Sequence, residues 1–393
     1  MTKYKISTKV SVYSLISYAL FIAIIKPYFL PDAVRQIVKI IILVGVLLFT
    51  ITRLKTKKLL NISLLFCLCV LISSLVAIFR DDYQFRDFLD SILYALTFYD
   101  LYTFAELCST KGCIDIMMRS IYRINLICCL LTLISVSFVG TGTFNSNQAV
   151  YFFGNKFAST YLFVFLIAMF GATHQMSEKK NKIIFFLLII FSVLFSLYVG
   201  CATVAVTLII LFILSLLPHK FKHILLNEKC VVVALIMSAL ILLWIQAILN
   251  LEFVDRIVTG YLNKSYTITG RLEIYGVYIA DVIKQYFWIG YGYSNSILTN
   301  LTGMYSNAQN GLLEMFVNFG LLGIIALIIT VYYCYKTSSK NDKVLYLSLA
   351  VYGLIIAAIF EVSLNWFFFL ALVLVKWNYD QEIVSSTTRR RLL

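Results

Sequence analysis

The sequence predicts an all-α, polytopic integral membrane protein of about twelve transmembrane helices, and three observations predict it. Of 393 residues, 61% are hydrophobic and only 13% are charged, with a mean hydropathy of +0.90; a soluble domain carries about twice that charge. Apolar runs long enough to cross a hydrocarbon core about 30 Å thick recur along the whole chain. The 33 Lys and Arg outnumber the 19 Asp and Glu, for a formal charge of +14, and nearly every base flanks an apolar run. That distribution makes the charge a matter of topology and argues against a nucleic-acid partner.

At roughly 20 apolar residues per crossing, slightly fewer where ends snorkel, the spans fall at approximately 10–26, 34–52, 59–79, 88–107, 121–139, 157–174, 183–199, 201–217, 230–249, 312–335, 344–361 and 364–377. The first run contains Ser11, Ser14 and Ser17 and has no small-residue cleavage site behind it, so it reads as a retained span and not a signal peptide. Twenty-three of the 33 bases lie on one side, around Lys3, Lys57, Lys111, Lys180, Lys220, Lys340 and Arg390. The positive-inside rule therefore puts both termini in the cytoplasm. The outer side receives the segments near 27–33, 80–87, 140–156, 200, 250–311 and 362–363. The chain reads as a single helical membrane domain, 1–393, without repeats or low-complexity tracts. Its one elaboration is the external loop 250–311 between spans 9 and 10.

The nine cysteines form no CxxC pair and lie mostly inside apolar runs, which excludes a disulfide scaffold. Three scattered histidines give no metal-ligand pattern, so the expectation is no metal and no cofactor. The sequons at Asn61, Asn263 and Asn300 arise by chance often enough to carry no weight.

In the long loop, Leu272, Tyr275, Ile279, Val282 and Tyr286 recur at steps of three and four, which predicts an amphipathic helix over Arg271–Trp288 lying along the outer membrane surface. Thr267, Thr269 and Gly270 supply cap-type residues ahead of it, setting Arg271 in the first turn beside free backbone N–H groups, an arrangement suited to phosphate. The alternative is that Arg271 snorkels or pairs with Glu273 or Asp255. IGYGY (Ile289–Tyr293) follows, its Gly290 and Gly292 allowing a tight exit. Asn310 and Glu314 are four apart at the start of the tenth span, and a carboxylate at that rim is costly unless paired or used. Glu314 is the best-placed acid for accepting a proton from a hydroxyl, with a capping pair as the alternative. Gly320 and Gly323 read as close-packing positions between helices.

Elsewhere, Asn145–Thr160 sets Asn147, Asn155 and Lys156 beside aromatic residues, a mixture that suits sugars and equally an aromatic belt with turn residues. Arg80 and Arg86 read as ion-pair partners of Asp81, Asp82 and Asp87. Asp100, inside the fourth span, is an intramembrane acid and so a functional candidate, or it lines a wet interior.

The order TGR (Thr269–Arg271), an amphipathic stretch, G-x-G (Gly290–Gly292), then Asn310, Leu313, Glu314 and F-G-x-x-G (Phe319–Gly323) resembles the O-antigen polymerase and ligase superfamily, the Wzy-type and WaaL-type enzymes. Ten to fourteen spans with one long external loop fit that resemblance, and FGNKF (Phe153–Phe157) resembles its middle-span opening. It implies a membrane glycosyltransferase in the bacterial cytoplasmic membrane that works, without metal or cofactor, on undecaprenyl-diphosphate-linked oligosaccharide at the outer face. Membrane lipid and a chain-length regulator protein are its implied partners. Carried over, Arg271, Arg256 and Lys156 hold the diphosphate, and Asn147, Asn155, Gln309, Asn310 and Tyr291 face the glycan. Arg271 is catalytic through the leaving group, and Glu314 or Glu273 is the base. Many members place His where this chain has Gln309, and an amide takes no proton at neutral pH. The expectation is therefore a polymerase of capsule or O-antigen repeat units, with a ligase-type transferase as alternative. A flippase of the same lipids would instead want Gly- or Pro-broken helices near mid-membrane, and Pro27, Pro31 and Pro218 all stand at span ends.

Overall fold

The computed structural model describes residues 2–25, 27–80, 83–139, 151–249, 279–302 and 306–377. Among these, every regular element is a helix, with one isolated bridge between Tyr151 and Gly154. A helix lies over each of the twelve expected spans: α1 Thr2–Ile25, α2 Asp32–Ile51, α3 Ile62–Ala77, α4 Phe85–Thr110, α5 Ile114–Val139, α6 Lys156–Thr173, α7 Lys179–Tyr198, α8 Ala202–Leu216, α9 Glu228–Leu249, α10 Gly311–Lys336, α11 Asp342–Ala357 and α12 Trp366–Trp377. Five of them, α2, α5, α6, α7 and α10, are long and apolar enough by themselves to cross a membrane.

Helices form here because the segments are predominantly apolar and a helix lets backbone groups find their partners within the segment. Hydroxyls inside the helices bond back one turn, as Ser17 does to the Tyr13 carbonyl, Thr132 to Cys128 and Thr330 to Ala326. The centre is α12, in which Phe368 through Val375 are fully covered, packed with α4, α6, α10 and α11. At the periphery the pattern of a soluble protein is inverted. On α2, Ile37, Ile41, Val44 and Leu48 are exposed at helical spacing, and on α7 so are Leu187, Ile190, Leu194 and Leu197. Apolar stripes of that size need lipid. The chain is a multi-pass membrane protein.

The connections gather into two groups. Lys343 pairs with Asp115 at 2.9 Å and the Lys340 ammonium donates to the Leu226 carbonyl, which ties three base-rich loops together. In the other group, the Tyr28 amide donates to the Phe152 carbonyl, and the turn after α3 grips the segment around Gly290. The described cysteines are all free.

Two expectations change. The described part of the amphipathic stretch is helical only over Ala280–Gln285, and 271–278 lies outside the described residues. Ile279 and Val282 bury against Tyr291, Leu298, Ala308 and Val317, so the stripe there covers protein and not the membrane surface. Gly320 breaks α10, with φ 63° and ψ −168°, and the close approach it permits is to the Trp288–Ile289 backbone, which is not helical.

Candidate active site

The broken helix organises the end of the molecule where the turn after α3 meets Gly290. An unbroken α10 would bond the Leu321 and Leu322 amides to the Val317 and Asn318 carbonyls. At the break those four groups are freed, and the segment Phe287–Gly292 takes all of them. Leu321 and Leu322 donate to the Phe287 and Trp288 carbonyls at 2.8 and 3.1 Å. The Val317 and Asn318 carbonyls accept from the Tyr291 and Gly292 amides at 2.8 and 2.9 Å. This also explains why the helix of the loop ends at Gln285, since Phe287 and Trp288 must turn their carbonyls outward to reach α10. The contact is backbone on backbone, so a Cβ on Gly290 (φ +79°) would sit 2.5 Å from the Gly320 nitrogen. Only glycine fits at both positions.

The end of α3 holds the same segment from the opposite side. Ser73 Oγ donates to the Asn318 carbonyl at 2.7 Å, Ser74 Oγ accepts from the Tyr293 amide, and Tyr83 donates to the Tyr293 carbonyl at 2.8 Å. Burial pushes the Tyr83 phenol up to about 12 and raises the Tyr293 phenol as well. Tyr293 stacks on Tyr94 at 4.4 Å, and Tyr94 in turn meets Trp366 of α12 at 4.5 Å.

Glu314 extends this framework into the loop before α10. Its carboxylate accepts from the Ala308 amide at 2.8 Å and from Asn318 Nδ2 at 3.2 Å. Asn318 Oδ1 accepts from Asn295 Nδ2, which also donates to the Gly292 carbonyl. Glu314 thus joins the loop, the break and the segment around Gly292 through one polar chain. Asn310 caps α10, accepting from the Leu313 amide, while its amide hydrogens go to the carbonyls of Ser238 and Ile359 at 2.9 and 3.2 Å. It is fully buried. Gln309 beside it is half-buried in a left-handed conformation, φ 52°, its N–H donating to Asn307 Oδ1 at 2.9 Å.

Two of the anticipated glycan contacts are reassigned on this geometry. The side chain of Asn310 is spent on backbone groups in the interior. Tyr291 is buried too, its hydroxyl donating to Gln285 and its ring meeting Tyr286 at 4.8 Å, so it serves as packing for the loop. Asn155 caps α6 by accepting from the Ala158 amide, and the Lys156 ammonium lies 5.4 Å from the Phe157 ring. Arg271, Glu273, Arg256 and Asn147 lie outside the described residues.

The sequence offers Asp81, Asp82 and Asp87 as ion-pair partners of Arg80, and Asp81 and Asp82 lie outside the described residues. Arg80 Nη2 donates to the Gly290 carbonyl at 3.1 Å, and its guanidinium stands 4.1 Å from the Tyr286 ring centre and 5.2 Å from that of Tyr291. Asn318, Asn295, Ser73 and Ser74 carry no motif of their own. Paired glycines at 290–292 and at 320 are the signal that two backbones meet here. Asp100 is fully buried in α4, with both carboxylate oxygens lacking a hydrogen-bond partner. Among the described residues no group of three His, Cys, Asp or Glu is placed to hold a metal.

Residues 158–328 match the family model described as O-antigen ligase. Over that stretch the chain is similar to the O-antigen ligase family. The match covers somewhat under half of the chain, from the first turn of α6 into the second half of α10, and it takes in the loop 250–311, the G-x-G turn, Asn310, Glu314 and the break. It agrees with the superfamily resemblance carried by the motifs between Thr269 and Gly323. No curated protein and no solved structure matches the chain.

Proposed function

We propose that the protein is a polymerase of lipid-linked oligosaccharide repeat units. It transfers a glycan from undecaprenyl diphosphate to another lipid-linked repeat unit at the outer face of the bacterial cytoplasmic membrane. In this reading all twelve helices cross the membrane, both termini are cytoplasmic, and the loop between α9 and α10 is external. The single observation that carries it is the O-antigen ligase match, which takes in that loop. The choice of polymerase over ligase rests on Gln309, which stands where the resemblance places an activating His.

The chemistry asks little of the protein. Diphosphate is already a good leaving group, so cations need only neutralise its growing charge while the acceptor hydroxyl is held in line. Arg271, Arg256 and Lys156 are assigned the diphosphate, and Asn147, Asn155 and Gln309 the sugar. Glu314 or Glu273 takes the hydroxyl proton. Glu314 suits that task in one respect: its two partners are both donors, and a carboxylate has about four acceptor positions, so room remains for a hydroxyl.

A transporter of the same lipids is the second reading, and the break in α10 is what favours it. In that architecture freed helix ends would point at a ligand, whereas here the backbone groups freed at Gly320 are taken by Phe287–Gly292. That supports the enzyme. Purified protein given lipid-linked repeat units tests the choice between branches. Glycans of increasing length on the lipid support the polymerase, and transfer only to a non-diphosphate acceptor would make it a ligase.

A further inference from the structure

A cation with no ion pair among the described residues stands beside the broken helix; the neighbouring Asp81 and Asp82 lie outside them. Arg80 is half-buried at the turn after α3. Its guanidinium spends one N–H on the Gly290 carbonyl and lies over Tyr286, which consumes no donor. Its Nε is buried and has no hydrogen-bond partner, and among the described residues no carboxylate lies within ion-pair distance. Taking a guanidinium out of water without a counter-ion is unfavourable, and leaving a donor unmet adds to the cost. A purely structural clasp does not require it, because Tyr83 and Ser74 already hold the same segment through neutral groups.

We infer that Arg80 is an anion-binding residue of this site, taking the diphosphate of the lipid-linked donor. The inference rests on the polymerase reading for its ligand. The cation–π contact with Tyr286 holds the guanidinium in place, and the Nη1 and Nη2 hydrogens left over after the Gly290 bond form a fork that matches phosphate oxygens two at a time. Placing this cation on the segment that closes the helix break would make diphosphate binding and the arrangement of Glu314 parts of one structure, since Gly292 is joined to Glu314 through Asn295 and Asn318.

The test uses full-length protein in nanodiscs, with inorganic pyrophosphate as probe, its affinity measured for wild type, Arg80→Gln, Arg80→Lys and Tyr83→Phe. Loss of a bidentate, charge-assisted contact should weaken pyrophosphate at least about tenfold in Arg80→Gln and by most of that in Arg80→Lys, which keeps charge without the fork. Tyr83→Phe, which loosens the same segment, should lower thermal stability and leave pyrophosphate affinity unchanged. If Arg80→Gln fails to fold, Arg80→Lys carries the comparison. Equal affinity in wild type and the Arg80 variants overturns the proposal, as does no binding by wild type. The nanodiscs are made with phosphatidylcholine alone and with phosphatidylglycerol. Undiminished affinity in the second supports the donor diphosphate, and strong competition by phosphatidylglycerol would assign the site to a lipid headgroup and overturn it. Elongation of lipid-linked repeat units is assayed separately. Elongation with Arg80-independent pyrophosphate binding removes only this inference, and Arg80-dependent binding without elongation removes only the polymerase reading.

Discussion

Asn310 does three jobs with one amide in surroundings where a lost hydrogen bond has no water to replace it. It accepts from Leu313 as the cap of α10 and donates to carbonyls 72 and 49 residues away in sequence. Asn310→Ala should lose the cap and leave two buried carbonyls bare, destabilising the protein by about 2–4 kcal/mol. A detergent melting curve unchanged from wild type would contradict that role. At Gln309 the prediction divides. The left-handed backbone disfavours a side chain by about 1 kcal/mol, so Gln309→Gly should be slightly more stable than wild type. Gln309→Ala should lose about one hydrogen bond, or 1 kcal/mol, of transition-state binding if the amide orients a sugar hydroxyl. Glu314→Gln should be the more damaging change, because it removes the proton acceptor and sets an amide donor against Asn318 Nδ2. Glycan chain lengths from the variants rank them. The spacing of Asn310 and Glu314 is legible in the sequence as a helix start. The partners of Asn310 on α9 and after α11 are not, because no local signal marks a carbonyl that a distant amide will need.

At the scale of elements the break in α10 governs the site. Gly320→Ala would have to adopt φ near +63° while its Cβ ran into the Trp288–Ile289 backbone, and backbone cannot move aside as a side chain can. Strain and clash together should exceed about 3 kcal/mol, enough to abolish a monodisperse peak on size-exclusion chromatography. Gly292→Ala, beyond its positive φ, runs first into the side chains of Ala77 and Tyr83 and not into backbone, and should be milder. The clasp by Tyr83 predicts a pH dependence. Its folded phenol titrates at about 12, above the ordinary value of 10.0, so its share of stability is complete below pH 10 and is lost as pH rises to about 12. Tyr83→Phe should flatten the alkaline limb of the stability curve, and a limb identical to wild type would contradict the assignment. The helices themselves are legible from apolar runs and their ends from Asn and Gly. The break is not, because an apolar run carrying Gly320 and Gly323 still reads as a helix in which each glycine costs about 1 kcal/mol. What turns it into a break is a segment some thirty residues earlier that supplies four replacement hydrogen bonds.

For the whole molecule, alternation of the loops between two ends is the framework on which everything else depends. The structure brings the base-rich turns near Asp115, Leu226 and Lys340 together and sets Arg80 and Tyr83 against 290–293. Reporter fusions at Lys57, Lys180 and Lys340 should therefore read cytoplasmic and those at Asn147 and Lys264 external; a cytoplasmic signal at Lys264 would put the proposed chemistry on the wrong side of the membrane. The apolar, base-flanked pattern made this architecture readable from sequence, since bilayer thickness and backbone satisfaction leave few choices. The site was readable only as far as its motifs: Glu314, Asn310 and the glycines were found, whereas Arg80 was hidden because its partners lie 210 residues away. The most direct measurement is reconstitution of the purified protein in liposomes with undecaprenyl-diphosphate-linked repeat units added. The account predicts lengthening glycans on the lipid together with release of undecaprenyl diphosphate. Movement of the lipid-linked units across the bilayer with no lengthening would contradict it.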